Sequence, residues 1–294
     1  MAVQQAGVIA LSTQEPVQRS LYPSEAELRT AYQRACGNRI PHVPDVLLQL
    51  QTEIARDEPN VRRVADLIGE DPALTGSLLR TVNSAAFGAS VELENVHQAV
   101  VRLGLPRVAN LVTAELIGGL VDDGSAEVRQ VWEEVREVAR IALLIAREVE
   151  GIDPDEAYLF GMLHDVGSIL FARMAPGSKR LRDMAAVMPV NALRQEQALL
   201  GTDHVTVGFL FARHWRLPEY FCLAVYHHHA LSCAGLDDPH LRSLIAIIKL
   251  ANYLATTHLR DMEMPEMVQY RAAARRELML SDSVWEQLSQ EALT

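Results

Sequence analysis

The chain has 294 residues, of which 49% are hydrophobic and 22% are charged, and its formal net charge at pH 7 is −11. These values are typical of a globular protein with one large domain or two smaller ones, and they argue against intrinsic disorder. The negative charge argues against a surface that binds nucleic acid. The apolar stretches are too short to span a membrane, and the first 16 residues lack the basic start of a signal peptide.

The residue types also predict the fold class and the compartment. Leucine and alanine are abundant while aromatic residues make up only 5% of the chain, which favours helices over a β-sandwich. The cysteines, Cys36, Cys222 and Cys233, are odd in number and show no CxxC spacing. A reduced, cytoplasmic protein without structural disulfides is the simplest interpretation.

The first part of the chain shows helical spacing after a tail without periodicity. Residues 1–22 are expected to be a flexible tail. Ser24 with Glu27 is typical of a capping box at the start of a helix. Apolar residues at helical spacing then recur in segments that start near Val46, Val61, Pro72, Val96 and Pro106. The pattern predicts an N-terminal helical subdomain over residues 23–121.

A change in composition at residues 122–125, Asp-Asp-Gly-Ser, suggests a boundary between subdomains. A long helix is predicted over residues 126–150, and Asp153-Pro154 opens the next one. Further helices follow to about residue 260, and residues 261–294 are predicted to be a C-terminal helical extension. Because no β-alternation occurs, we predict an all-α protein with a second helical subdomain over residues 126–260.

The first candidate site is the pair His164-Asp165, within the segment Gly-Met-Leu-His-Asp-Val-Gly at residues 161–167. The pair lies in an apolar helical stretch, so both side chains are expected to be largely buried. Burying them without partners would cost a few kcal/mol. The pair therefore indicates either metal ligands or hydrogen bonds inside the helix.

Other histidines extend this candidate set. His227 and His228 are adjacent at a predicted helix end, which is uncommon in a core because a buried imidazole needs partners for both nitrogens. A histidine cluster on the surface at a helix terminus is the alternative, and for His229 it is equally plausible. His204 follows Thr202-Asp203 at a helix start, where a capping role is the alternative to metal binding.

The chain resembles the HDOD domain, a regulatory relative of the HD-domain metal-dependent phosphohydrolases, over about residues 39–254. The resemblance is carried by short segments in the family's order: Ile40-Pro41-His42-Val43-Pro44, Glu70-Asp71-Pro72-Ala73-Leu74, Leu79-Arg80-Thr81-Val82-Asn83-Ser84-Ala85, Ala99-Val100-Val101-Arg102-Leu103-Gly104, residues 161–167, Asp203-His204 with Gly208, Trp215 with Leu217-Pro218, and Tyr226-His227-His228. It implies that the subdomain over residues 126–260 is HD-like.

Three positions depart from the pattern of active HD phosphohydrolases. Glu134 stands where a histidine ligand is expected, Ser168 where a lysine is common, and Asn252 where the closing aspartate ligand aligns. Asparagine is a neutral and weaker ligand than a carboxylate. The vestigial metal-site candidates are Glu134, His164, Asp165, His204, His227 and His228, with Asn252 at the edge. We expect no cofactor, and at most one divalent metal ion, with a hydrogen-bond network in its place.

Two functions follow from the resemblance. The first is a bacterial, non-catalytic signal-transduction module that acts by protein–protein interaction, with a response regulator, a kinase or a cyclic-di-GMP turnover protein as partner. The alternative is an HD-type metal-dependent phosphohydrolase acting on a nucleotide or a cyclic dinucleotide. Glu134 and Asn252 favour the first function, and a helical scaffold without either function is left open.

Overall fold

A computed structural model describes residues 19–36, 42–84, 87, 92–121, 124–174, 188–233, 235–260 and 265–292. The secondary structure in these ranges is helical and contains no strand, which confirms the all-α prediction. None of the helices within these ranges is both long enough and apolar enough to cross a membrane. The predicted tail up to residue 18 and the boundary residues 122 and 123 lie outside the described residues.

The N-terminal helices start and end where local signals place them. They are α1 (Glu25–Cys36), α2 (Asp45–Ile54), α3 (Val61–Gly69), α4 (Pro72–Val82), α5 (Val96–Leu103) and α6 (Leu105–Val121). The capping box before α1 is confirmed, because the Ser24 backbone N–H donates to Glu27 Oε2 at 2.7 Å. The Asp71 carboxylate caps α4 and Gly104 ends α5 with a φ of 86°, a conformation that favours glycine.

The C-terminal helices are α7 (Ala126–Arg147), α8 (Pro154–Leu163), α9 (Val166–Met174), α10 (Pro189–Leu200), α11 (His204–His214), α12 (Glu219–His227), α13 (Pro239–Arg260), α14 (Pro265–Glu277) and α15 (Asp282–Glu291). One expectation was wrong in detail. His164 and Asp165 do not lie inside a helix but in the turn that joins α8 to α9. From this turn, Asp165 Oδ1 lies 3.6 Å from Nε2 of His204, the first residue of α11.

The core of the C-terminal part is built around α7, α8 and α13, which pack against one another, while α11 packs against α9 and α12. Helix α6 packs against α8 and so connects the N-terminal helices to this core. The largest fully buried side chains are aromatic, and most of them come from α8, α11 and α12: Phe160, Phe211, Trp215, Phe221 and Tyr226. These helices hold the candidate histidines.

Two peripheral segments are attached to the core. Part of the predicted tail is anchored, since Arg19 forms an ion pair with the fully buried Asp203. The C-terminal extension packs back on the core through α14, which lies against α13. Within it, the hydroxyl of Tyr270 donates to the His229 carbonyl. Hydrogen bonds from Arg19 to Asp203, from Tyr22 to Glu219 and from His227 to the Leu21 carbonyl hold residues 19–22 against the core, although their sequence has no periodicity.

Asn83 joins two segments of the N-terminal part. Its side-chain amide donates to the Leu93 carbonyl at 2.9 Å, and its side-chain oxygen accepts from the Leu93 N–H at 2.8 Å. The sequence pattern predicts that Asn83 bonds to backbone near the end of α4, and this is confirmed. The pair of bonds fixes the chain that enters α5.

We expect Asn83→Ala to lower the free energy of unfolding by about 1–3 kcal/mol, because both half-buried backbone groups of Leu93 lose their partner. Chemical denaturation measures this loss. Asn83→Asp is a second variant: it keeps the acceptor for the Leu93 N–H but sets a carboxylate oxygen against the Leu93 carbonyl oxygen, so it should also destabilise the protein. An Asn83→Ala protein with an unchanged unfolding midpoint contradicts the assignment.

Candidate functional site

Glycines allow the helices of the site to touch through their backbones. A Cβ atom added at Gly167 would lie 1.9 Å from the His204 carbonyl oxygen and 3.0 Å from the Gly208 nitrogen. A Cβ atom at Gly161 would lie 2.4 Å from Ala139 Cα. Real side chains do not tolerate such distances, so only glycine lets α9 cross α11 and α8 cross α7 this closely. The first crossing places Asp165 beside His204.

His164 is buried and has a partner for each ring nitrogen. Its Nδ1 lies 2.7 Å from the Gly161 carbonyl oxygen and therefore carries the proton. Its Nε2 lies 3.2 Å from Asn252 Nδ2, an amide nitrogen that donates to it. Burial lowers the pKa of His164, so the ring is neutral at pH 7.

His204 lies between two carboxylates. Its Nδ1 is 2.8 Å from Glu196 Oε2, and its backbone N–H donates to the same oxygen at 2.9 Å. On the other side, its Nε2 is 3.6 Å from Asp165 Oδ1. Burial lowers the pKa of His204, but Glu196 and Asp165 outweigh that effect and raise it from its ordinary value of 6.5 to about 9. The ring is therefore protonated at pH 7.

His228 and His229 complete the cluster. The Nδ1 of His228 donates to the Val225 carbonyl at 2.7 Å, which leaves its Nε2 as an acceptor. The centroid of the His228 ring is 3.9 Å from that of His229 and 5.1 Å from that of His164. Burial, followed by the neighbouring imidazoles, holds the pKa of both His228 and His229 well below 6.5. Both rings are therefore neutral and can offer lone pairs.

The donor atoms fit one metal ion. Among the described residues, His204 Nε2, His228 Nε2 and Asp165 Oδ1 are buried without a hydrogen-bond partner. One ring nitrogen from each of His204, His228 and His229 lies within 4.8 Å of the others. Three imidazoles with a nearby carboxylate are a donor set that suits zinc and similar ions. His204 must lose a proton before it can act as a ligand.

The structure brings together four of the predicted ligands: His164, Asp165, His204 and His228. His204 and His164 both contact His228, with ring centroids 5.6 Å and 5.1 Å from it. The three rings therefore share one contact shell. Asn252 lies at the edge, as predicted, and contacts His164.

The other two predicted ligands have contacts of a different kind. His227 Nε2 donates to the Leu21 carbonyl at 2.9 Å and so ties α12 to the N-terminal segment. Glu134 is half-buried on α7 and accepts a hydrogen bond from Gln130, one turn earlier, at 3.3 Å. A ligand role for either residue remains a prediction.

Two residues of the cluster were not assigned from the sequence. Glu196 is 2% exposed and belongs to α10. No sequence pattern indicated the contact of Glu196 with His204, because their eight-residue separation matches no local motif. For His229 the sequence allowed two interpretations, a position on the surface or a position in the cluster. The run of three histidines was its only signal, and a run cannot show which rings turn inward.

A comparison with protein families identifies the fold. The HDOD domain model matches residues 40–231. The chain belongs to the HDOD domain family. A solved HDOD domain protein of unknown function from Geobacter sulfurreducens is 23% identical, with a TM-score of 0.65 over 91% of this chain and 97% of that one. At this identity the likeness shows the shared fold.

Curated relatives of this HDOD chain are longer than the matched region. An uncharacterized protein from Treponema pallidum (strain Nichols) is 26% identical over 258 residues, which are 85% of this chain and 49% of that protein. The uncharacterized protein YuxH from Bacillus subtilis (strain 168) is 24% identical over 155 residues, 52% of this chain and 36% of that one. The chain thus spans about half or less of the length of these relatives.

The glycine crossing gives a test of how the site is built. Gly167→Ala should lower the free energy of unfolding by about 3 kcal/mol, because the new methyl group collides with the His204 carbonyl. Gly119→Ala is the control, since a Cβ at that helical position meets nothing within 4 Å and should stabilise by about 0.5–1 kcal/mol. Equal stability of the two variants in urea titrations contradicts the crossing.

The ion pair of His204 with Glu196 predicts a pH dependence. Because the pKa of folded His204, about 9, is above its ordinary value of 6.5, this stabilisation is complete below pH 6.5 and is lost as the pH rises through 9. Glu196→Gln should therefore cost about 3 kcal/mol at pH 6 and clearly less at pH 9.5.

Denaturation of the two proteins at both pH values measures this difference. The histidines with lowered pKa values destabilise the fold as the pH falls. They do so in the wild type and in the variant alike, so their contribution largely cancels in the difference between the two proteins. A difference that grows towards pH 9.5 has the wrong sign for a protonated His204.

Proposed function

We propose that this chain is a non-catalytic regulatory module that acts by binding another protein, and that its histidine cluster holds helices together instead of performing hydrolysis. The observation that carries the proposal is the contact between Asn252 Nδ2 and His164 Nε2 at 3.2 Å. In active HD phosphohydrolases, which the HDOD domain resembles, an aspartate ligand aligns with this position.

The chemistry of this contact explains why the substitution matters. A carboxylate can only accept hydrogen bonds, so an aspartate opposite the lone pair of His164 Nε2 would need a cation between the two. The amide of Asn252 donates directly and satisfies the lone pair without a cation. His164 is therefore occupied as a hydrogen-bond acceptor, which removes it from the set of available ligands.

A proton on His204 supplies the positive charge that a metal ion would otherwise supply between Glu196 and Asp165. His204 is flanked by Glu196 at 2.8 Å and by Asp165 at 3.6 Å. Two buried or half-buried carboxylates require a nearby positive charge, and protonated His204 supplies it. The ion pairs connect α10, α11 and the turn before α9. They stabilise the fold at neutral pH without a metal.

The kind of partner is inferred from the family. HDOD proteins resemble signalling modules that work with a response regulator, a kinase or a cyclic-di-GMP turnover protein. We propose that the partner of this chain belongs to one of these classes. The curated relatives extend well beyond the matched residues. This length supports a module that works together with further segments or proteins.

The alternative function is a metal-dependent phosphohydrolase, and the unpartnered buried atoms favour it. His204, His228 and His229 would hold the ion, with Asp165 beside them. A bound divalent ion supplies an activated water and polarises a phosphate oxygen. The residues of this chain would then orient the phosphate and keep His204 deprotonated, which Glu196 and Asp165 oppose.

His164→Ala tests whether the histidine cluster has a structural role. If the cluster is structural, the change leaves the Asn252 amide and the Gly161 carbonyl without their partner, and the free energy of unfolding should fall by about 1–3 kcal/mol. Elemental analysis of the purified wild type should find much less than one ion per chain. Phosphodiesterase assays with nucleotides and cyclic dinucleotides, with and without Mn²⁺, should show no turnover.

Asn252→Asp is the matched variant, because it restores the carboxylate of the HD pattern at the same size. It should bind added Mn²⁺ or Zn²⁺ more tightly than the wild type. Metal-dependent hydrolysis by the wild type that His228→Ala, which removes one of the three candidate ligands, abolishes at unchanged stability would falsify the structural role.

A further inference from the structure

A pocket separate from the histidine cluster lies where the two groups of helices meet. Its volume is about 500 Å³, and it is lined by residues of the N-terminal helices and by residues of α7 and α8. Met162, two residues before His164, belongs to its wall. Ligand sites in proteins have volumes of this size and occur preferentially between domains or helices.

Two arginines give the pocket a positive side. Arg80 from α4 and Arg136 from α7 both line it and are exposed. Within the described ranges, neither guanidinium has an ion pair or a hydrogen bond, whereas Arg107 and Arg140 have carboxylate partners. In a chain with a net charge of −11, two unpaired arginines at one pocket can bind an anion.

Among the residues that the structure describes, neither acidic side chain of the pocket forms an ion pair with these arginines. Asp71 Oδ1 accepts the backbone N–H groups of Ala73 and Leu74 at 2.9 Å and 3.1 Å and so serves as a helix cap. Glu115 accepts the hydroxyl groups of Ser77 and Thr81. Each oxygen of Glu115 retains a free lone pair, so it can also accept an N–H group from a ligand.

The remaining wall is apolar and includes a large ring. Trp132 lines the pocket and is 3% exposed, with its ring packed against Gly118. Gly119, the next residue, is exposed and has open space where a side chain would be, since a Cβ there meets nothing within 4 Å. The indole fills the space beside Gly118, so the room for a ligand ring lies at Gly119.

We propose that this pocket binds a purine nucleoside monophosphate. The phosphate would pair with Arg80 and Arg136, the ring would occupy the open space over Gly119, and an N–H group of the base would donate to Glu115. Such a ligand would contact α4 and α6 on one side and α7 on the other. It would connect the N-terminal helices to the helices that carry the histidine cluster.

Isothermal titration calorimetry on the full chain tests the site, with adenosine monophosphate and guanosine monophosphate as probes. We expect at least one of them to bind and to raise the melting temperature. Adenosine, which lacks the anion, and inorganic phosphate, which lacks the ring, should each bind much more weakly. Phosphate binding as tight as the nucleotide would indicate an adventitious ion only and would overturn the proposal.

Variants locate the binding. Arg80→Gln and Arg136→Gln should each weaken nucleotide binding by about tenfold or more. Arg62→Gln removes an exposed arginine of α3 outside the pocket and should leave binding unchanged. Gly119→Leu should fill the pocket and abolish binding while the protein remains as stable as the wild type. Failure of both nucleotides to bind, or unchanged binding in the arginine and Gly119→Leu variants, overturns the proposal.

Discussion

The contact on which the site depends is the backbone crossing of α9 and α11. Gly167 and Gly208 allow it, because any side chain at Gly167 would overlap the His204 carbonyl. The crossing sets the distance between the turn that carries Asp165 and the first residue of α11. It also presses α11 against α12, since a Cβ at Gly208 would lie 2.8 Å from Val225 Cγ1. The positions of the histidines are therefore consequences of glycine packing.

The crossing brings ionisable side chains together in a buried site, where a proton on His204 and the amide of Asn252 compensate them. It buries imidazoles and carboxylates at short range, and charged groups in such a place need compensation. His204 retains its proton between Glu196 and Asp165, and Asn252 donates to His164. The same donor atoms fit a metal ion if the proton leaves. Metal binding and proton binding at His204 are thus alternatives, and acidity favours the proton.

Segments outside the crossing hold the cluster from two sides. Arg19 pairs with Asp203, the residue that caps α11, and its guanidinium lies 5.0 Å from the centre of the Tyr226 ring. Tyr270 of the extension bonds the His229 carbonyl. The N-terminal segment and the C-terminal extension therefore contact residues adjacent to His204 and His228. A partner that displaced either segment would change the surroundings of the cluster directly, which suits a regulatory module.

The helices and the outline of the site follow from local signals in the chain and from its resemblance to the family. Helix starts at Ser24, Asp71 and Asp153 could be predicted because a cap acts on backbone groups two or three residues away. The family pattern identified His164, His204 and His228 as candidates, together with the substitution at Asn252. Helix ends were less certain, as α7 ends at Arg147 and not near residue 150.

Which side chains contact one another depends on how the helices pack. The partnership of Glu196 with His204, the inward position of His229, the contact of His227 with Leu21 and the anchoring of Arg19 join residues that no local rule relates. The protonation of His204 depends on Glu196 and Asp165, since burial alone would lower its pKa and make it neutral. Helix caps depend on residues that are neighbours in sequence, whereas the burial and the protonation of a side chain depend on the whole packed chain.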